Sequence, residues 1–190
     1  MKYPFAILFL LLLSVPAWAQ TTPYEVPEEA ENTDAGFTFT SKINGHTFSL
    51  DLECVPTYEQ QSNPTPVGDI KIEINVCEIS DDEETAIYIN SITHLAEGMI
   101  PPGTEKPFLD SYLTGTATGM NGELIEKEDI DFNEFLTSDA VIKIMLEGQT
   151  SYVHGRYMLI EGAIYSLQVF NTKEETSPSL KKLWDSFDYE

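Results

Sequence analysis

A chain of 190 residues with 32 acidic and 10 basic side chains carries a formal charge of −22. A field of that sign repels phosphate backbones and anionic lipid headgroups, which excludes nucleic acid and membrane surfaces as partners. The length suits a single domain with a full core.

Residues 1–19 read as a secretory signal peptide, with Lys2, an apolar run from Phe5 to Val15, and Ala17-Trp18-Ala19 before the cleavage point. The run is shorter than the about 20 residues a membrane-spanning helix needs, so no membrane insertion is expected after cleavage. Gln20, not a cysteine, directly follows Ala19, so no lipid anchor is expected there. The expected destination is the periplasm or the exterior. Residues 20–35, QTTPYEVPEEAENTDA, are rich in Pro, Glu and Thr and read as a flexible acidic leader, followed by one domain over 36–190.

Within that domain a strand is predicted over 36–41, and Asn44-Gly45 signals a hairpin into a second strand over 46–53. There Phe48, Leu50 and Leu52 alternate with Ser49, Asp51 and Glu53, the pattern of a strand with one wet face. Residues 55–68 hold three prolines and read as a surface loop. Residues 69–77 alternate again, with Ile70, Ile72, Ile74 and Val76 inward. A polar turn at 80–84 and a strand over 85–92 follow. From Phe108 the period lengthens, and Leu109, Tyr112, Leu113, Ala117 and Met120 cluster on one side of a helix that Asn121-Gly122 ends. Strands are predicted near 123–131 and 139–147.

The last segment, Ser151 to Phe187, holds two strands joined at Glu161-Gly162, apolar on both faces and therefore central. It closes with a helix in which Leu180, Leu183, Trp184 and Phe187 form one stripe, Ser177 stands at the N-cap and Pro178 at the first position. Strands, helix, strands, helix predicts an α+β fold, an antiparallel sheet flanked by helices in an αβα sandwich. A small closed β-barrel with a terminal helix is the alternative.

Gly155-Arg156-Tyr157-Met158-Leu159, the run from Ala163 to Val169, and Leu183-Trp184-Asp185-Ser186-Phe187 resemble the PsbP-like superfamily, as do the strand from Phe48 to Leu52 and the helix before an Asn-Gly turn. The resemblance implies an αβα sandwich that works through its surface or a cleft and is non-enzymatic. Members bind unrelated partners, so no functional residue is transferred.

Cys54 and Cys77 are the only cysteines. An oxidising compartment favours a disulfide. A simple hairpin of 46–54 with 69–77 opposes it, because Cys77 would then stand roughly 23 Å along the strand from Cys54 at about 3.3 Å per residue, and a disulfide needs Cα atoms within roughly 7 Å. The bond is possible only if those strands are not hairpin neighbours.

His46, His94 and His154 are too scattered to suggest a metal site, and His94 with Glu97 is only half of one. Asp129-Ile130-Asp131-Phe132-Asn133 begins like a calcium loop, but Glu134 replaces the required glycine and Ala140 the bidentate acid. Asp81, Asp82, Glu83 and Glu84 form the remaining candidate for a hard cation, read first as a solvated turn. No nucleophile elbow or phosphate loop is present. Arg156, the only arginine, sits on a predicted central strand with His154 beside it. The two are candidates for an anionic ligand, against the plainer reading of an internal ion pair for Arg156. The expectation is a non-enzymatic exported binding or accessory protein with a protein partner and no cofactor. The alternatives are a module for a small ligand or divalent cation, and a hydrolase with a spatially assembled site.

Overall fold

The computed structural model describes residues 31–33, 36–52, 54–66, 68–80, 85–146, 148–175 and 178–189. The predicted signal peptide, most of the leader, the acidic turn Asp81, Asp82, Glu83 and Glu84, and Ser177 lie outside the described residues.

The described chain is 64% strand, in two antiparallel sheets, which overturns the expected α+β sandwich with helices on both faces. The first sheet contains β1 (Glu31–Thr33), β2 (Gly36–Ile43), β3 (His46–Leu52) and β11 (Asp188–Tyr189), in the order β1-β2-β3-β11. The second contains β4 (Thr57–Thr65), β5 (Gly68–Ser80), β6 (Thr85–His94), β7 (Glu123–Phe132), β8 (Phe135–Leu146), β9 (Gln149–Ile160) and β10 (Ala163–Asn171), in the order β4-β5-β6-β10-β9-β8-β7. Helix α1 (Glu105–Gly119) connects β6 to the far edge, from which β7 to β10 meander back. Helix α2 (Pro178–Ser186) runs beside β3 and leads into β11. The outer edges of β4 and β7 pair with no other described strand, so the larger sheet is open and the barrel alternative fails as well.

The alternation of Phe48, Leu50 and Leu52 explains why there are two sheets. Together with Ile43, these side chains are at most 4% exposed, and they face Tyr165, Leu167, Val169, Met158 and Ile160 of the larger sheet. Phe48 stacks on Tyr165 with ring centroids 5.2 Å apart and on Phe187 at 5.8 Å. The β2–β3 hairpin therefore lies across the sheet as a cover, where a helix had been expected. The other face takes α1, whose Leu109 and Leu113 seat on Tyr157 and Ala140 while Ala117 packs with Ile142, Ile144 and Val153. With both faces covered, every residue of β10 is buried, as the doubly apolar pattern required.

Three local expectations change. Residues 57–65 are an edge strand, not a loop, paired with β5 from Thr57↔Val76 to Thr65↔Gly68. Pro64 is tolerated there because an edge strand leaves half its donors unpaired. Part of the expected leader, Glu31–Thr33, pairs with β2. Finally, β3 and β5 are not hairpin neighbours, since β4 intervenes, and Cys54 and Cys77 are bonded with Cα atoms 5.9 Å apart.

Candidate functional site: a glutamate-rimmed cleft

In an antiparallel meander, alternate turns fall at the same end of the sheet. The β7–β8 turn at Asn133-Glu134, the β9–β10 turn at Glu161-Gly162 and the exit of β6 toward α1 accordingly gather at one end. The β2–β3 turn joins them from the covering sheet, where Asn44 Nδ2 donates to the Glu161 carbonyl at 3.0 Å. The Leu95 amide donates to the Gly162 carbonyl, also at 3.0 Å, and pins the start of the β6–α1 connection to the same turn. Glu161 has φ +43° and Gly162 φ +85°, so a side chain that ordinarily avoids this region is held there by its neighbours.

Between these segments lies a cleft of about 650 Å³. Its floor is apolar, formed by Leu95, Ala96, Ile100, Leu136, Leu159 and Ala163. Four carboxylates line it, Glu97, Glu105, Glu134 and Glu161, with His94 and Asn44, and no lysine or arginine is among the lining residues. The acids are not equivalent. Glu105 Oε1 accepts from the Gly103 amide at 3.0 Å, and hydrogen bonds from its own backbone and from Gly103 hold its carboxyl below the usual range, so it serves the start of α1. Glu161 stands 3.9 Å from His46 Nε2, a distance for loose attraction, and its side chain is 66% exposed. Glu97 and Glu134 have no ion-pair partner among the described residues. The geometry suits a cationic group with apolar flanks, because charge at the rim attracts it and the floor receives its carbon chain.

The residues singled out from sequence are placed elsewhere. Arg156 faces the covering sheet, where Nε and Nη2 hold both oxygens of Asp139 at 2.8 and 2.9 Å. Its guanidinium lies 5.1 Å from the Trp184 ring and 5.6 Å from that of Phe132. The fork is thus engaged internally, as the plainer reading had it. His154 is 1% exposed, and its Nε2 donates to the Lys173 carbonyl at 3.1 Å. It shares Arg156's strand face, and neither residue lines the glutamate-rimmed cleft. Asp129, from the failed calcium motif, pairs with Lys106 and Lys127. Among the described residues no cluster of three or more His, Cys, Asp or Glu is arranged to hold a metal. His94 bonds Glu73 at 3.3 Å and joins Glu97 only as a second wall of the cleft.

Sequence reasoning weighed Glu97 and Glu134 only within metal motifs that failed and Glu161 only as a turn residue, because in a chain this acidic a carboxylate carries no information by itself. The signal lay in turn parity. Once the strands over 123–131, 139–147 and 151–169 were accepted, the first and third turns had to share an end.

No family model and no curated protein matches this sequence. A solved structure from Pseudomonas aeruginosa, described as a protein of unknown function and putative regulator, aligns over 78% of this chain and 91% of that one, at 10% identity and a TM-score of 0.37. A likeness at that level carries no argument about fold or function. None of the described helices is long and apolar enough to cross a membrane.

Proposed function

We propose that this chain is an exported, non-enzymatic binding domain that acts through a protein partner, and that the partner docks at the glutamate-rimmed cleft. The observation that carries the reading is the convergence of four separate chain segments on a concavity with apolar lining and four carboxylates, and with no lysine or arginine among its lining residues. Its volume lies in the range of pockets that receive ligands or anchoring side chains, about 300–1,000 Å³. Like charges gathered without counterions oppose folding slightly, and a docked partner of opposite charge relieves that repulsion. The resemblance of residues 155–187 to the PsbP-like superfamily supports a role exerted through a surface. The signal-peptide pattern of residues 1–19 supports an encounter in the periplasm or outside the cell.

A photo-crosslinking side chain at position 134 or 161 tests this in extract from the native compartment. One discrete adduct is expected from these positions and none from position 60, on the opposite edge strand. Equal labelling from all three, or adducts from position 60 alone, contradicts docking at the cleft.

A further inference from the structure

The lining of the cleft goes further than the existence of a partner and specifies its chemistry. We infer that the occupant is a basic, amphipathic protein segment, in which lysine or arginine side chains flank an apolar residue. The inference rests on the docking proposal and deepens it. Charge complementarity selects the sign, since Glu97, Glu134 and Glu161 stand on three different turns and none is held by a lysine or arginine among the described residues. The floor selects the rest. Ile100, Leu136 and Leu159 line the same cleft as the carboxylates and offer it apolar surface, a combination that a simple inorganic cation or a polar oligomer leaves unused. A lysine or arginine stem buries its methylenes along such a floor while its head stays at the wet rim. A metal ion is the poorer fit, because the described carboxylates do not form a ligand cluster.

The segment is recognised by two separable contributions. The charged one acts at an exposed rim, where single ion pairs contribute about 0.2–1 kcal/mol, so each neutralised glutamate should weaken binding about 1.4-fold to fivefold. It should also fall with salt, because exposed charges are screened beyond about 8 Å at physiological ionic strength. The apolar part should persist when salt is raised.

The test is a titration of the full chain with a fluorescent peptide that alternates lysine and leucine. Comparison peptides replace lysine with glutamine or leucine with serine, and spermidine serves as a small polycation. Expected is saturable binding of the lysine–leucine peptide, with weaker binding of both comparison peptides and of spermidine. Glu97→Gln, Glu134→Gln and Glu161→Gln together should weaken it by roughly threefold to a hundredfold, the compound of three such losses. Glu123→Gln, Glu126→Gln and Glu128→Gln on β7, which remove the same charge from the far edge, should change it less than about twofold. These are exposed positions, so both triple variants should fold, and matching unfolding curves would establish that. Equal loss in the two variants would show attraction to net charge alone and overturn the inference, as would spermidine binding as tightly as the peptide. If positions 134 and 161 crosslink a partner while no lysine–leucine peptide binds, the chemistry named here fails and docking stands. If the peptide binds at the cleft while crosslinking finds nothing there, the docking proposal fails and the cation preference stands.

Discussion

Gly155 and Tyr157 show how far single residues on β9 are constrained. A Cβ at Gly155 would stand 2.5 Å from the Tyr157 ring and 2.7 Å from its hydroxyl, so the ring lies flat over the glycine. The hydroxyl is fully buried without a hydrogen-bond partner, and desolvation drives its pKa far above the usual tyrosine range. Two opposite outcomes follow. Gly155→Ala should destabilise by about 1–3 kcal/mol through overpacking, whereas Tyr157→Phe, which removes an unsatisfied polar atom, should be neutral or stabilising by about 1 kcal/mol. Urea midpoints of the two variants would decide it. Arg156 is constrained differently, by a forked pair with Asp139 and two aromatic faces. Arg156→Ala strands a largely buried carboxylate and should lose about 3 kcal/mol. Arg156→Lys should recover only part of that, since an ammonium keeps the charge but not the fork or the stacking. Full recovery by lysine, measured by thermal unfolding, would refute the stacked-fork account.

At the scale of elements, two ties hold the layers in register. Helix α1 is fastened to β7 by a ring of ions in which Lys106 and Lys127 each contact both Asp110 and Asp129. Hydrogen bonds from Lys106, then Lys127 and Ser138, hold the Asp129 carboxyl well below the usual carboxylate range. A depressed folded-state pKa gives stability that is fully present above the unfolded value, about 3.9, and is lost as pH falls below it toward the folded value. Asp129→Asn should therefore lower the urea midpoint modestly at pH 7 and by progressively less as pH falls from about 4. A gap between the two proteins that stayed constant into strong acid would count against the ring. The other tie is the disulfide, which closes a loop with a sequence separation of 23 between the end of the covering sheet and β5. Reduction, or paired replacement of both cysteines by alanine, should lose about 3 kcal/mol on loop entropy. Denaturation with and without reductant measures it.

For the whole molecule, the covering sheet decides the architecture. Ile43, Phe48, Leu50 and Leu52 each contribute roughly 1.5–3 kcal/mol by burial, which together rivals the roughly 5–15 kcal/mol net stability of a domain. The hairpin is therefore integral, and losing its cover should unfold the protein. Much of this was legible. The alternation at 48–52, the Asn44-Gly45 turn, the central character of β9 and β10 and the apolar stripe of α1 all follow from periodicity. What periodicity does not say is where an apolar face is buried. Phe48, Leu50 and Leu52 fit equally a strand inside one large sheet and a strand laid across another, and only the second is observed. The three prolines in 55–68 concealed β4, because their weight as turn formers masked the extended pairing that an edge position permits. That error also supported the wrong geometry against the disulfide. The cleft was hidden for a third reason, since its acids come from turns up to 117 residues apart from Asn44, and their meeting depends on strand order.

The proposed docking surface is the acidic end of the two packed sheets. Amide-resolved NMR of the labelled chain, titrated with the lysine–leucine peptide or with the crosslinked partner, tests it most directly. Shifts are expected to concentrate at residues 44–46, 94–100, 133–136 and 159–163. Shifts centred on the β4 edge, or spread evenly over the acidic surface with the cleft unmoved, would contradict it.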